Sequence, residues 1–502
     1  MQRVTCSLSY PSKLATVFAQ DAGSISWTHL SKRSKLYQQL LSGRLLLFSE
    51  VLACLAAHKV CDALKLITAG LQLLILREEL YLVPAIDNNS KKCNRCLTFD
   101  SKSICAIKCA ACNDECYMCL GCFMMGRARS CLPLLVFKTL EVPISKNMLM
   151  PIARKIKLTN PQAQIVDKLN NFINTTKKQE LLFFAVTGAG KTEVILTVIV
   201  PLLAKGLKIL WVAPQKEVVS GLYHYLTTVL PKGLVLLLCA GSKDLWQRAL
   251  LVVATVQQVL RYASYFDFLI IDEADAFPLN NNLAMWSWLK RAAIPHTKRL
   301  VVTATPLPSW LKNVFRGEMP AVFLPVRYHG QPLPLPKIFY VPRIRNKLIA
   351  GEEIQVFKEF CARVIATKGE GLIFVPRQEL IPLILYALKA YATCIKATGV
   401  SASDIARSTK VAKLYKGKLN FMVTTTLLER GVTFPRCHVL VMWAEYFTHR
   451  ALIQMAGRVR RKHSYQLGQV FFLTERITKD QVKVIKELTL LNKQARKAGF
   501  LK

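Results

Sequence analysis

The sequence predicts an α/β protein in which a small cysteine-rich module precedes the α/β part. Three observations predict this class. A glycine-containing loop lies between an apolar strand and an apolar helix, an acidic pair follows another apolar strand, and eight of the sixteen cysteines lie between Cys93 and Cys122. Hydrophobic residues make up 52% of the 502 residues, so the chain can bury several cores and is long enough for about three or four domains.

The charge of the chain predicts a polyanionic partner. Lys and Arg number 69 against 31 Asp and Glu, which gives a formal net charge of +38. Because self-repulsion opposes compaction, such an excess indicates binding of nucleic acid first and of an anionic membrane face second.

The start of the chain lacks the apolar core of a signal peptide, and charges interrupt the apolar stretch from Leu45 to Leu76, which is therefore expected to form buried or amphipathic helix.

Residues 185–192 read A-V-T-G-A-G-K-T and form the expected phosphate-binding loop. Its glycines allow backbone N–H groups to approach phosphates, and the following helix adds the positive end of its dipole. We expect Lys191 to reach the β- and γ-phosphates of ATP and Thr192 to hold Mg²⁺. The nucleotide-binding residues predicted in this loop are Thr187, Gly188, Ala189, Gly190, Lys191 and Thr192.

A second apolar strand, residues 268–271, delivers Asp272 and Glu273 at its carboxyl end. Strands of α/β proteins carry functional groups at this end. Asp272 is therefore the expected Mg²⁺ ligand, and Glu273 is expected to orient or deprotonate the attacking water. We assign catalysis to Lys191, Asp272 and Glu273 on this basis.

The cysteines between residues 93 and 122 are spaced as zinc ligands are. Cys93 and Cys96 form one C-x2-C pair and Cys116 and Cys119 another, so these four thiols are predicted to bind one structural Zn²⁺. The spacing leaves other ligand sets open. Cys109 and Cys112 form a third pair, Cys122 follows Cys119 closely, and Cys105 and Cys131 are expected to be core residues.

The acidic pair and the phosphate loop together resemble a superfamily 2 helicase, and other segments resemble its motifs in the same order. Gln162, in L-T-N-P-Q, then implies an adenine contact. Thr255 lies in a segment (A-T-V-Q-Q) that resembles a DNA-contacting motif, and residues 303–305 resemble the motif that couples the two lobes. Residues 454–461 resemble the arginine motif, which implies that Arg458 and Arg461 are arginine fingers.

Five phrases of the sequence resemble the ComFA family of late competence proteins. They are C-N-R-C (93–96), C-Y-M-C-L-G-C-F-M-M-G-R (116–127), D-E-A-D-A-F-P (272–278), V-R-Y-H-G-Q-P-L-P-L-P-K (326–337) and T-T-T-L-L-E-R-G-V-T-F-P (424–435). The resemblance implies a cytoplasmic protein, peripheral at the inner face of the membrane, that uses ATP to draw single-stranded DNA inward. It implies as partners a phosphoribosyltransferase-like competence protein, DNA-loading proteins and a membrane pore, and it allows a homo-oligomer.

The resemblance also implies the domain order: two tandem RecA-like helicase lobes behind a zinc-binding module. We expect a mostly helical region at 1–85, the cysteine-rich zinc module at 86–150, the ATP-binding lobe at 151–318 and the second lobe at 319–502. Contacts with the DNA strand are expected from Thr255, Thr425, Thr426 and Arg430. One position departs from the family pattern, because Arg460 stands in the arginine motif where the family usually has Gly.

Three other classes of protein share some of these features. In the primosome helicase of replication restart the zinc cysteines interrupt the second lobe, whereas here they precede the first. A DEAD-box RNA helicase has His where this chain has Gln454. A DNA-binding scaffold without ATP hydrolysis would have no chemical need for the lysine, the carboxylates and the arginines together.

Overall fold

A computed structural model describes residues 25–98, 100–110, 112–140, 156–392, 394–401, 404, 406–426, 434–460, 465 and 467–501. Its α-helices are α1 Trp27–Leu41, α2 Phe48–Ala57, α3 Leu64–Leu76, α4 Asn160–Thr175, α5 Lys191–Ala204, α6 Lys216–Val229, α7 Leu283–Ala292, α8 Pro308–Phe315, α9 Ile344–Ile349, α10 Gln355–Ala366, α11 Ile381–Tyr391, α12 Arg407–Tyr415, α13 His449–Ala456 and α14 Lys479–Lys497. Its strands are β1 Leu45–Leu47, β2 Leu80–Pro84, β3 Ile86–Asp87, β4 Lys92–Cys93, β5 Ile104–Cys109, β6 Asp114–Cys119, β7 Pro133–Phe137, β8 Glu180–Ala185, β9 Ile209–Ala213, β10 Val235–Leu238, β11 Leu251–Thr255, β12 Phe266–Ile271, β13 Ala293–Thr303, β14 Ala321–Leu324, β15 Lys337–Tyr340, β16 Glu370–Phe374, β17 Ala397–Val400, β18 Phe421–Thr424, β19 Cys437–Val441 and β20 Val470–Thr474.

The N-terminal helices and the cysteine module share one sheet. Strand β7, which lies in the module beyond its last cysteine, is placed between β1 and β2 and pairs with both of them in antiparallel fashion. The sheet therefore crosses the boundary expected near residue 85. Helices α1, α2 and α3 pack on it through buried apolar side chains such as Tyr37 and Leu71. Within the part of the chain that the structure describes, no helix combines the length and the apolar character that a bilayer span requires.

Two sheets carry the α/β part of the chain. One has seven strands in the order β10-β11-β9-β12-β13-β8-β14, and the other has six in the order β15-β20-β19-β16-β18-β17. The six-stranded sheet is parallel, as the registers of its five neighbouring pairs show. Six of the thirteen strands are buried along their whole length, because helices cover both faces of parallel sheets; they are β9, β11, β16, β18, β19 and β20. Two α/β sheets of this kind are the predicted tandem RecA-like lobes.

By compactness the described chain divides into two units, residues 1–153 with 201–299 and residues 154–200 with 300–502. The first unit contains the cysteine module, β9 to β12 and the acidic pair. The second contains the phosphate loop, the six-stranded sheet and the arginine motif. Its last helix, α14, is basic and amphipathic, since Val484, Leu488 and Leu491 are buried along one face.

Candidate nucleotide site and metal centre

The phosphate loop has the backbone that its glycines permit. It begins where β8 ends, and Lys191 and Thr192 open helix α5. Gly188 and Gly190 have φ values of +80° and +79°, which side-chain-bearing residues rarely adopt. A Cβ atom on Gly190 would also lie 2.2 Å from Nε2 of Gln162. Both the conformation and the close approach therefore require glycine here.

Gln162 is built into the phosphate loop. Its Oε1 accepts a 2.9 Å hydrogen bond from the backbone N–H of Thr159, which closes a capping box at the start of α4. Its Nε2 donates a 2.9 Å hydrogen bond to the carbonyl of Ala189. Only 3% of the residue is exposed. The predicted adenine-contacting residue thus also holds the loop in shape.

The arginine motif packs directly on the phosphate loop. Gly457 follows helix α13, and a Cβ atom there would lie 2.3 Å from Oγ1 of Thr187. Gln454 donates a 3.3 Å hydrogen bond from Nε2 to Oγ1 of Thr305, in the segment predicted to couple the lobes. Arg458 is buried, and Arg461 lies outside the described residues. Three predicted motifs therefore meet around Thr187 and Gln454.

Arg327 joins these motifs, and its role was not predicted from the sequence. The residue is 1% exposed, and its Nε donates a 3.1 Å hydrogen bond to the carbonyl of Thr187. Its terminal nitrogens donate to the carbonyls of Val459 at 2.7 Å, Arg460 at 2.8 Å and Gly457 at 3.4 Å. A planar guanidinium is suited to such divergent acceptors. In the sequence, Arg327 stands out only as part of the phrase beginning V-R-Y-H-G, which resembles the family but does not indicate a chemical role for the arginine.

Arg460 occupies a backbone position that explains why glycine is usual there. Its φ is +56°, in the left-handed region that costs an L-residue roughly 1 kcal/mol. The side chain turns to Gly468, whose carbonyl accepts a 2.8 Å hydrogen bond from Nε. Burial lowers the pKa of the guanidinium below its usual range. The departure from the family pattern thus keeps the expected backbone and adds one contact.

Asp272 and Glu273 follow directly on β12. Asp272 is buried, and its Oδ1 accepts a 2.8 Å hydrogen bond from the backbone N–H of Glu273. The indole N–H of Trp211 lies 3.4 Å from its other oxygen. Glu273 is half-buried and has a φ of +48°, an unusual conformation for a residue with a side chain. Such backbone outliers cluster at functional sites, and two carboxylates offer the oxygen ligands that Mg²⁺ prefers.

The four residues predicted to contact DNA differ in their exposure. Thr255 ends β11 and is buried, with 7% of its surface exposed. Thr425 and Thr426 follow β18 and are half-buried and exposed, respectively. Arg430 lies outside the described residues. Of the described three, Thr426 presents the most surface to a ligand.

The structure groups the cysteines differently from the sequence prediction. The thiols of Cys93, Cys96, Cys119 and Cys122 lie within 4.8 Å of one another, whereas Cys116 lies with Cys109, Cys112 and Cys131. Cys116 and Cys119 are three residues apart in strand β6. Side chains at that spacing point to opposite faces of a strand, so the two thiols cannot share an ion. Cys122 therefore replaces Cys116 in the first set, and Cys131 is a cluster member instead of an ordinary core residue.

The first set has the geometry of a zinc site. The sulfur atoms of Cys96 and Cys119 are 3.5 Å apart, and those of Cys93 and Cys122 are 3.9 Å apart. A tetrahedron with Zn–S bonds of about 2.3 Å has edges of about 3.8 Å. All four residues are buried. The donor set and its size therefore fit one Zn²⁺.

The Cys93–Cys96 turn is tied to helix α7. The indole N–H of Trp288 donates a 2.6 Å hydrogen bond to the carbonyl of Cys96, and Nη1 of Arg291 donates a 2.9 Å bond to that of Asn94. Burial lowers the pKa of Arg291 to about 10, although the thiols of Cys93 and Cys96 oppose the shift. Arg291 thus remains a cation at neutral pH beside the first cysteine set.

A buried carboxylate joins the same turn to the 3₁₀ helix Val256–Arg261. Oε1 of Glu50 lies 2.7 Å from Nη2 of Arg95 and 2.8 Å from Nε of Arg261. Nη2 of Arg95 also donates to the carbonyl of Met125, and Nη1 of Arg261 donates to Oε1 of Gln258. One carboxylate is therefore the shared counter-charge of two buried guanidinium groups, one in the cysteine module and one beside the predicted DNA-contacting segment.

Replacing Glu50 with Ala is expected to destabilise the protein by roughly 3–5 kcal/mol, because two buried guanidinium groups lose their counter-charge. The apparent melting temperature, followed by differential scanning fluorimetry, should fall clearly. Glu359→Ala is the matched control, because Glu359 pairs with Arg363 on the surface of α10 and is 44% exposed. Equal melting temperatures for the two variants would contradict a role for Glu50 in joining the elements.

Three family models match consecutive parts of the chain. The model of the competence protein ComFA N-terminal domain matches residues 30–136. The model of the type III restriction enzyme res subunit matches 155–307, and that of the helicase conserved C-terminal domain matches 353–463. The last two models place the chain among superfamily 2 helicases, which hydrolyse ATP.

Two curated relatives match along most of their length. The competence protein ComFA of Bacillus subtilis (strain 168) is 30% identical over 420 residues, which cover 82% of this chain and 88% of the relative. That of Streptococcus pneumoniae (strain ATCC BAA-255 / R6) is 31% identical over 386 residues, covering 76% and 86%. The solved structure of Mss116p bound to single-stranded RNA and AMP-PNP shares the fold, with a TM-score of 0.52, 17% identity and coverage of 70% of this chain and 76% of that one. This chain therefore belongs to the ComFA family of competence proteins.

Proposed function

We propose that this protein is an ATP-driven motor that moves single-stranded DNA during DNA uptake in bacterial competence. The observation that carries the proposal is the junction at Arg327, whose guanidinium binds carbonyls of both the phosphate loop and the arginine motif. A residue in this position transmits a change at the phosphates directly to the arginine motif. The net charge of +38 supports a polyanionic track.

The residues of the chain divide the work as follows. Lys191 binds the β- and γ-phosphates, Thr192 and Asp272 hold Mg²⁺, and Glu273 orients the attacking water. Mg²⁺ bound there would neutralise part of the negative charge of the phosphates. Gln162 contacts the adenine, and Arg458 and Arg461 stabilise the charge that develops on the transferring phosphoryl group.

Movement follows from changes in grip on the strand. Each round of binding and hydrolysis alters how the lobes hold the DNA, through Thr255, Thr425, Thr426 and Arg430. Contacts to the sugar-phosphate backbone position a strand without reading its sequence, so the motor accepts any incoming DNA.

Zinc in the first cysteine set would be structural. Four thiolates leave no open coordination position, and closed sites of this kind contribute folding free energy. Hydrogen bonds from Trp288 and Arg291 join the Cys93–Cys96 turn of this set to helix α7. We therefore propose that the zinc keeps the Cys93–Cys96 turn bonded to helix α7.

The proposed partners follow from family membership. We propose that the motor works at the inner face of the membrane, with a phosphoribosyltransferase-like competence protein, DNA-loading proteins and the DNA-uptake pore, and that it assembles as a homo-oligomer. Membrane flotation of the chain with and without these proteins tests this assignment, and flotation that is independent of them contradicts it.

The test of the motor is ATP hydrolysis by the purified protein with single-stranded DNA, duplex DNA or RNA added separately. Single-stranded DNA is expected to stimulate turnover most, because its flexible backbone follows a basic groove. Displacement of a bound protein from one end of the strand then distinguishes movement from simple activation. Equal stimulation by RNA, or turnover without displacement, would reject the proposal.

A further inference from the structure

The second cysteine set has the size of another metal site. The thiols of Cys109, Cys112, Cys116 and Cys131 lie within 4.8 Å of one another, and three of the four residues are buried. The sulfur atoms of Cys109 and Cys131 are 3.8 Å apart, which equals the edge expected for a tetrahedral zinc–thiolate site. The sulfur atoms of Cys112 and Cys116 are 3.0 Å apart, which is longer than a disulfide bond of about 2.05 Å but shorter than that edge, so these two thiols would move apart when they bind an ion. Four thiols this close suit one ion.

The β5–β6 hairpin needs such an ion because it has almost no apolar core. Among the twelve residues of its two strands, the buried ones are Cys109, Cys116 and Cys119. A two-stranded hairpin without a buried face is marginally stable in water. A metal bound by Cys109 at the end of β5, Cys112 in the turn and Cys116 in β6 would close the hairpin, and Cys131 would tie it to the segment before β7.

The charge around this set suits a thiolate site. Nη1 of Arg129 lies 3.4 Å from Sγ of Cys109 and donates a hydrogen bond to it. Four thiolates around Zn²⁺ carry a net charge of −2, so a guanidinium donor offsets part of it. Arg129 thus donates directly to a thiol of this set, whereas Arg291 donates to a backbone carbonyl in the turn of the first set.

We propose that Cys109, Cys112, Cys116 and Cys131 bind a second zinc ion, separate from the one held by Cys93, Cys96, Cys119 and Cys122. Strand β6 divides its thiols between the two ions, because Cys116 and Cys119 point to opposite faces. The second ion holds the hairpin, whereas the first lies under the turn that is bonded to α7. The chain therefore carries two structural zinc ions with separate tasks, and the assignment does not depend on DNA translocation.

The zinc content of the full-length chain tests this assignment. The protein is purified under reducing conditions, and zinc is measured by mass spectrometry against protein from amino-acid analysis. The wild type is expected to contain about two ions per chain, and Cys109→Ser with Cys131→Ser about one. Cys96→Ser with Cys119→Ser should also leave about one ion. Cys105→Ser is the matched control, because Cys105 lies in β5 outside both sets and its loss should leave both ions.

A second measurement avoids variants that fail to fold. Cobalt substitution of the wild-type protein should give tetrahedral cobalt–thiolate absorption with an intensity that corresponds to two sites per chain. A single ion in the wild type, unchanged by the Cys109 and Cys131 substitutions, would overturn the proposal. Iron in place of zinc, or a thiol count that reveals a disulfide between Cys112 and Cys116, would overturn it equally.

Discussion

Lys191→Ala is expected to lower the rate of DNA-stimulated ATP hydrolysis by at least roughly a hundredfold. The substitution removes a positive charge that would stabilise the negative charge developing on the phosphates during hydrolysis. Lys191 is the first residue of α5, so its ammonium acts together with the positive end of the helix dipole. Binding of single-stranded DNA in the absence of ATP should remain. The measurement is a coupled ATPase assay beside fluorescence anisotropy of labelled DNA.

Lys205→Ala is the control for this substitution. Lys205 is an exposed lysine just beyond the other end of α5, so its replacement removes the same charge from the same helix. The control should hydrolyse ATP at the wild-type rate. Turnover that survives in Lys191→Ala would place the nucleotide elsewhere in the chain, and loss in both variants would indicate a general effect of charge.

Arg327→Lys is expected to lower kcat for ATP by roughly tenfold to a hundredfold, with a smaller change in KM. Lysine keeps the charge but cannot bond to diverging carbonyls as a guanidinium does. The carbonyls of Gly457, Val459 and Arg460 would then lose their shared donor, and the backbone that carries Arg458 would shift. A displacement of about 1 Å in a catalytic group can cost about a hundredfold in rate.

Steady-state kinetics with saturating single-stranded DNA separate these effects. Arg316→Ala serves as the control, because Arg316 is half-exposed and pairs loosely with Glu318 at 3.9 Å. It should behave as the wild type does. An increase in KM with kcat unchanged in Arg327→Lys would mean that Arg327 serves nucleotide binding alone and does not position the arginine motif.

Local patterns in the sequence predicted a phosphate loop between a strand and a helix, which the structure confirms, whereas the chemical roles of its residues stay predictions. The phosphate loop, its flanking strand and helix, and the acidic pair are each contiguous in the chain, and their chemistry depends on backbone geometry within a few residues. The same holds for helix α14, whose apolar residues recur with helical period. The family could also be predicted from the sequence, because its motifs follow one another in a specific order.

The spacing of the cysteines alone could not predict which of them lie together in the fold. The run of residues 116–122 contains two overlapping C-x2-C pairs, one from Cys116 to Cys119 and one from Cys119 to Cys122. Spacing does not distinguish them. The strand that contains Cys116 and Cys119 decides the matter, because it turns their side chains to opposite faces.

By itself, the sequence determined the class of protein: an ATP-hydrolysing helicase of two α/β lobes with a cluster of cysteines ahead of them. Only the tertiary structure decided how the cysteines divide into two sets and how distant segments are joined. Arg327 bonds to Thr187 across 140 positions of the chain, and Arg261 bonds to Glu50 across 211. Contacts over such separations depend on the packing of whole elements, and no local spacing records them. Buried arginines that bind carbonyls or a carboxylate therefore became functional candidates only once the fold was known.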